Sequence, residues 1–331
     1  MNTIVFESFE KAISSQQPIW IKPYAKPEEE GAHQFLLFLK PEATALHDDV
    51  KVKDIMNMVF ERLNHFEVTV HAIRILPSSY LSKHAILDQH YGVINAISKQ
   101  GESALTEQAR EKLHSEFADD LAQGAKVLGG HQFLEAQPEF TPLTLCTLSD
   151  NLGTSKLGGG SYCMRINMQG QIYLVLNPFH AFQLVPYTTP GRAIIAIEGR
   201  ANQDWEVLRG KLTGTTDPTK AEAGSIRAEL LANQEAFNLK EVNQGSNGVH
   251  LSAGPLEGMV ELQRFFTDHD AGTTIELADT LFGSQLLTAG VDAEKLTALA
   301  GNPELTVDGK SISAFDLTEE INANESVKRL L

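Results

Sequence analysis

Short apolar runs, bounded by proline, glycine and charge, recur along this chain, and the spacing inside each run separates strands from helices. His33 to Leu39 (HQFLLFL) is uninterrupted after Gln34, which predicts a strand covered on both faces. Lys40-Pro41 ends it, because proline cannot donate to a central ladder. Asp54 to Phe66 places Ile55, Met58, Val59 and Leu63 at helical spacing, with Asp54 as the expected N-cap. Val68 to Leu76 alternates and is β-branched, the pattern of a strand. Ser79 to Tyr91 reads as a helix, Arg192 to Ile197 (RAIIAI) as another apolar strand, and Trp205 to Lys211 as a short helix. GTTDPTKAEAG is a loop by composition, and helices are expected over Ser225 to Phe237 and Leu256 to Phe266.

The stretch 93–176 has a different character. Leu105, Ala109, Leu113, Phe117 and Leu121 recur every four residues, as on an amphipathic helix. The Gly-rich GTSKLGGGS follows, and then YCMRINM and QIYLVLN flank Gln169-Gly170 like the arms of a β-hairpin. This segment reads as a smaller inserted α+β domain. Residues 1–32 read as an N-terminal extension closing in the linker KPYAKPEEEG, and 269–331 as a C-terminal extension of mixed turn and helix signals.

Composition narrows the function classes. The net charge of −16 disfavours general affinity for nucleic acid or an anionic membrane, while leaving room for a small cationic pocket. Cys146 and Cys163 have no metal-ligand spacing and read as buried small apolar residues. The first residues lack a basic start followed by an apolar stretch, and no run approaches the roughly 20 apolar residues of a membrane helix, so a cytoplasmic location is expected. GTSKLGGGS is not a phosphate-binding P-loop, since its lysine precedes the glycines. His33, His131 and His180 form no metal-ligand pattern.

Four separated pieces carry the chemistry: FLLFLKPEAT at 35–44; DQHY at 88–91; NPFHAFQLV with RAIIAIEG at 177–199; and GTTDP at 214–218, GSIR at 224–227 and NGVHLS at 247–252 followed by a helix ending ELQRFF. In this order they resemble nucleoside diphosphate kinases, which show G-x-T-x-P, then G-T-I-R, then N-x-x-H-G-S-D. The resemblance covers roughly 150 residues. It implies an α/β fold of the ferredoxin-like type, an antiparallel sheet of about four strands with covering helices, split into 33–92 and 177–268 around the insertion. It also implies transfer of the γ-phosphate of a nucleoside triphosphate to a nucleoside diphosphate, with Mg²⁺ held mainly through the nucleotide phosphates.

By the same resemblance His250 is the phosphate-accepting nucleophile, and Glu261, eleven residues on, orients it. Lys40 and Tyr91 are further catalytic positions. Arg227 and Thr216 bind the β-phosphate side, Asn247 the sugar hydroxyl, Ser252 also belongs to the nucleotide-binding set, and Phe179 stacks on the base. Tyr91 and Phe179 read equally well as core aromatics.

The sequence departs from the family pattern in three places. Leu251 and Ala253 replace the glycine and aspartate that flank the serine, and a leucine there is expected to crowd the nucleotide. The arginine preceding G-x-T falls on Gly210 by strict count, with Arg209 and Lys211 on either side as candidates. About ten residues are added between Arg227 and Asn247, in the loop through which the family forms hexamers, so any homo-oligomer is expected to differ from the hexamer.

Overall fold

The computed structural model describes residues 2–28 and 33–331. It divides into two compact units, residues 1–84 with 189–331, and residues 85–188. The second unit is wider at both ends than the 93–176 segment delimited by composition. The strands of the two larger sheets are β1 Ile19–Lys22, β2 His33–Leu39, β3 Thr69–Pro77, β4 Lys126–Gly129, β5 Ser155–Gly158, β6 Ser161–Met168, β7 Gln171–Leu176, β8 Ala193–Ala201 and β9 Val249–Leu251, and Glu304–Val307 pairs with Lys310–Ser313 in a separate hairpin.

In the first unit the sheet order is β1-β3-β8-β2-β9, with every neighbour antiparallel. All nine residues of β8 and six of the seven in β2 are buried, which is why both strands read as unbroken apolar runs. One face of the sheet presents Phe35, Leu37, Leu39, Ile195 and Ile197 to the helices Asn2–Ser15, Val52–His65 and Ile226–Ala232. The opposite face presents Leu36 and Phe38, where Phe38 meets Phe265 of the helix Pro255–Phe266 at 5.4 Å between ring centroids. Leu256, Met259 and Val260 of that helix form a second core with Phe282, Leu286, Leu299 and Leu317 from the C-terminal segment.

Residues 1–32, set apart by the sequence, include a helix that buries Val5, Phe9, Ala12 and Ile13 in the sheet's own core. Asp54 is not an N-cap: its helix starts at Val52. The single helix expected over 79–91 is two, Ser78–Lys83 and Ile86–His90, because Ala85 takes a left-handed φ of 50° that no α-helix accommodates. Ser225 caps a helix that ends at Ala232 rather than at Phe237.

The second unit holds a mixed sheet of order β4-β7-β6-β5, β4 and β7 being parallel. Period-two alternation supplies two cores, Cys163, Leu174 and Leu176 on one face and Met164, Tyr173 and Val175 on the other. The β6–β7 hairpin turns at Gln169 and Gly170, both with positive φ, as a two-residue type I′ turn requires. Thr106 caps the helix Glu107–Glu116, and a second, short helix, Ala118–Ala122, carries Leu121. Cys146 and Cys163 are both free thiols. Among the described residues no helix is long and apolar enough to cross a membrane.

Candidate active site

β9 is only three residues long, and its alternation builds the site. Gly248, at a φ of 73°, makes the turn that delivers it; a Cβ there would also meet Leu230 at 2.6 Å. Val249 and Leu251 point into the core and are fully buried. His250, between them, faces the other way and stacks on its cross-strand partner Phe38 at 4.7 Å between centroids. The leucine expected to crowd a nucleotide therefore lies on the far side of the strand from the histidine ring.

Glu261, fully buried on the Pro255–Phe266 helix, receives His250 Nε2 on one carboxylate oxygen at 2.7 Å. Its other oxygen accepts the Ser252 hydroxyl at 2.5 Å, and that hydroxyl accepts the Leu36 amide at 3.0 Å. Ser252, expected to bind the nucleotide, is completely buried, and its hydroxyl holds Glu261. With Glu261 ionised, Nε2 is the protonated ring nitrogen and the in-plane lone pair resides on Nδ1.

Burial, then the charges of Lys40, Arg209, Arg227 and Arg264, hold the His250 imidazole well below its ordinary range, so the ring is neutral. Burial raises Glu261 to about 7 against the Ser252 hydrogen bond and the charges of Arg264 and Arg209. Burial and the neighbouring Glu261 charge raise Glu257 to about 8, while its carboxylate accepts the Ala253 amide at 2.6 Å.

The cations are anchored to the backbone around β9. Lys40, just past β2, donates to Asn247 Oδ1 at 2.7 Å, and Asn247 in turn donates to the carbonyls of Thr216 at 3.1 Å and Gln244 at 3.3 Å. Burial lowers the Lys40 pKa; Glu42 opposes this and Arg227 adds to it. β9 is an edge strand, so the carbonyls of Val249 and Leu251 face away from β2. Arg227 takes the first at 3.0 Å, along with the Gly214 carbonyl at 2.7 Å, and Arg209 takes the second at 2.9 Å. Two guanidinium groups thus cap the outer edge on either side of His250. Burial, then Arg209, lowers Arg227 to about 10, still cationic at neutral pH.

The chain makes a wide turn where the sequence offers Arg209 and Lys211. Leu208–Thr213 is a π-helix, and the Gly214 amide reaches back five residues to the Arg209 carbonyl at 3.0 Å. A π turn takes up one residue more than an α turn, so the residue five before Gly214 stands where one four before would in an α-helix. Lys211 is exposed and makes no ion pair among the described residues.

The first unit therefore brings together Lys40, Arg209, Arg227, Asn247, His250, Ser252 and Glu261. Thr216 is exposed and enters through its carbonyl alone. Tyr91 and Phe179 belong to the second unit. There Tyr91 lies edge-on to His180 at 6.0 Å and Tyr187 at 6.4 Å, and Phe179 edge-on to Tyr162 at 5.7 Å. Sequence reasoning missed Glu257 and Arg264, although both sit one helical turn from Glu261, a spacing that places them on its face.

No protein-family model matches the sequence. Among solved structures the chain is similar to an NDP kinase from Pyrobaculum aerophilum, with 19% identity over 73% of this chain and 98% of that one and a TM-score of 0.34; so slight a likeness argues by itself neither for the fold nor for the activity.

Proposed function

We propose that this protein is a phosphotransferase that moves the γ-phosphoryl group of a nucleoside triphosphate to a nucleoside diphosphate through a phosphohistidine at His250. The observation that carries the reading is the neutral imidazole, held at Nε2 by a buried carboxylate and surrounded by Lys40, Arg209, Arg227 and Arg264. In the first half-reaction Nδ1 forms a bond to the γ-phosphorus as the bridging oxygen–phosphorus bond breaks, and the nucleoside diphosphate leaves with the electron pair. The Nε2 proton stays on the ring, where Glu261 offsets the positive charge that develops. The second half-reaction is the reverse, with a different nucleoside diphosphate as acceptor.

The fold proposed with this activity is ferredoxin-like. The order β3-β8-β2-β9, with Val52–His65 following β2 and Ile226–Ala232 preceding β9, supports it. Residues 33–92 and 177–268 would form the nucleotide-handling domain and 93–176 an insertion within it. Thr216, Asn247, Arg209 and Arg227 are proposed to meet the sugar and phosphates; for Tyr91 and Phe179 the catalytic and base-stacking roles rest on the resemblance alone. The groups gathered by the first unit are mostly cations, with Glu261 and Glu257 already engaged, which suits a Mg²⁺ ion carried on the nucleotide's phosphates rather than held by protein carboxylates. Such an ion would neutralise phosphate charge.

A second reading, a nucleotide-binding module without turnover, draws on Arg227, each of whose terminal nitrogens already donates to a backbone carbonyl. One experiment separates the two. The protein and its His250→Ala variant are incubated with γ-labelled ATP and Mg²⁺ and then chased with a nucleoside diphosphate. Acid-labile label that is absent from the variant and discharged by the chase is expected. Nucleotide binding without label selects the second reading, and label that no nucleoside diphosphate discharges points to a different acceptor.

A further inference from the structure

The segment that ends the chain is locked to the loop just after His250. The Glu320 amide donates to the Ala253 carbonyl at 2.8 Å. Thr318 packs so closely on Gly254 that a Cβ at that glycine would stand 2.2 Å from the Thr318 carbonyl oxygen. This seating delivers two adjacent carboxylates to one guanidinium: Glu319 lies 3.5 Å from Arg209 Nη2, and Glu320 lies 3.5 Å from Arg209 Nε. Arg209 meanwhile spends Nη1 on the Leu251 carbonyl beside His250.

The two carboxylates are neighbours in sequence that share one guanidinium. Their side chains are 45% and 49% exposed, so neither is needed to fill the core. The ion pairs are long, whereas the arginine's bond to Leu251 is short. The arrangement is that of a charge kept company rather than a strut. Arg209, with a side chain only 17% exposed, faces the like charge of Arg227 and shares Glu257 and Glu261 with the rest of the site, and Glu319 and Glu320 add negative charge on it alone.

We infer that Glu319 and Glu320 are positioning residues that act as built-in counter-anions for Arg209, and that an anionic ligand entering beside His250 must displace them. The inference rests on the phosphotransfer reading for the identity of that ligand, a nucleoside di- or triphosphate. It assigns to the C-terminal segment a direct hold on the affinity of the site. Because the seating is through backbone groups, changing the side chains alone leaves the segment in place.

The test has two arms. In the first, the Glu319→Gln/Glu320→Gln double variant and the wild type are titrated with ADP by calorimetry. The double variant is expected to bind roughly threefold to tenfold more tightly, as the loss of two half-exposed competing ion pairs implies. Damage to the site would weaken binding, so a gain cannot be mistaken for it, and unchanged or weaker binding overturns the inference. In the second arm the Glu319 carboxyl is titrated by NMR in the wild type and in Arg209→Gln, without nucleotide. Arg209 lowers the Glu319 pKa against the effect of burial, so its removal is expected to raise the titration midpoint. An unmoved midpoint overturns the inference whatever the first arm shows. If the wild type binds no ADP, the phosphotransfer reading fails and the carboxyl titration alone decides the pairing.

Discussion

Replacing Glu261 by glutamine changes one atom and inverts the logic of the site. The carboxylate accepts two hydrogen bonds, from His250 Nε2 at 2.7 Å and from Ser252 at 2.5 Å, and it is fully buried. The amide has a single acceptor oxygen and an NH₂ group that must donate. If the oxygen keeps Ser252, the NH₂ faces His250 Nε2 and forces that nitrogen to become the acceptor, which moves the ring proton to Nδ1 and removes the nucleophilic lone pair. If the oxygen keeps His250, the NH₂ meets a serine hydroxyl that already accepts from Leu36. Either arrangement forfeits a charge-assisted hydrogen bond of about 1.5–3 kcal/mol and the charge that offsets the phosphorylated ring. Glu261→Gln is therefore expected to slow formation of the phosphoenzyme roughly 10- to 150-fold. Rapid-quench labelling with γ-labelled ATP, stopped in alkali where phosphohistidine survives, measures it. Thermal unfolding at pH 8 checks the fold, which should lose little, since the variant no longer buries an ionised carboxylate. Labelling at the wild-type rate would refute the account of how the histidine is held.

Three further outcomes follow from the same geometry. Glu257 and Glu261 titrate at about 8 and about 7 in the fold against 4.5 unfolded, so the folded protein binds more protons in between and their contribution to stability falls as pH rises through those values; the cost is about 3 kcal/mol for Glu261 taken alone. The depressed His250 pKa has the opposite sign, costing stability as pH falls below 6.5, so a wild-type melting temperature that drops from pH 7 to 8.5, and a shallower drop in Glu257→Gln, isolate the carboxyls; parallel curves would contradict the assignment. Arg227→Lys cannot span both the Gly214 and Val249 carbonyls, and its urea midpoint should fall by the equivalent of about 1.5–3 kcal/mol, an unchanged midpoint being incompatible with the edge-capping role. Gly254→Ala sets a Cβ 2.2 Å from the Thr318 carbonyl oxygen and should cost about 1–3 kcal/mol in thermal stability by prying the C-terminal segment from the histidine loop, so a melting temperature equal to that of the wild type would show that the segment is not seated there.

What the sequence made legible follows from how each element is covered. β2 and β8 are buried on both faces, so their composition alone identified them. The β6–β7 hairpin was visible because Gln169-Gly170 supplies the positive φ values its turn demands. The first helix was missed although its signal was present: Val5, Phe9, Ala12 and Ile13 fall at helical spacing, but the Pro- and Glu-rich stretch that follows drew the boundary in the wrong place. The break at Ala85 left no such trace, since nothing in the local sequence marks an alanine for a left-handed conformation.

The site divides along a similar line. His250, Ser252 and Glu261 were named through the motif resemblance, and one short strand and one helix bring the three together. Lys40 and Asn247 were named through the same resemblance; Lys40 follows β2, Asn247 lies two residues before β9, and their side chains meet at 2.7 Å. Arg209 could not be chosen over Lys211 by counting, because counting assumes an α turn and the chain makes a π turn between Arg209 and Gly214. Its partners Glu319 and Glu320 lie 110 residues or more along the chain in a segment without a motif. The charge on Arg209 is thus set by chain topology rather than by its neighbours in sequence. Local motifs show nothing of these two carboxylates, which only the folded chain brings to Arg209. On the proposed reading, an anion bound beside His250 must win that guanidinium from the protein's own carboxylates, and its affinity then depends on Glu319 and Glu320 as well as on the residues around the histidine.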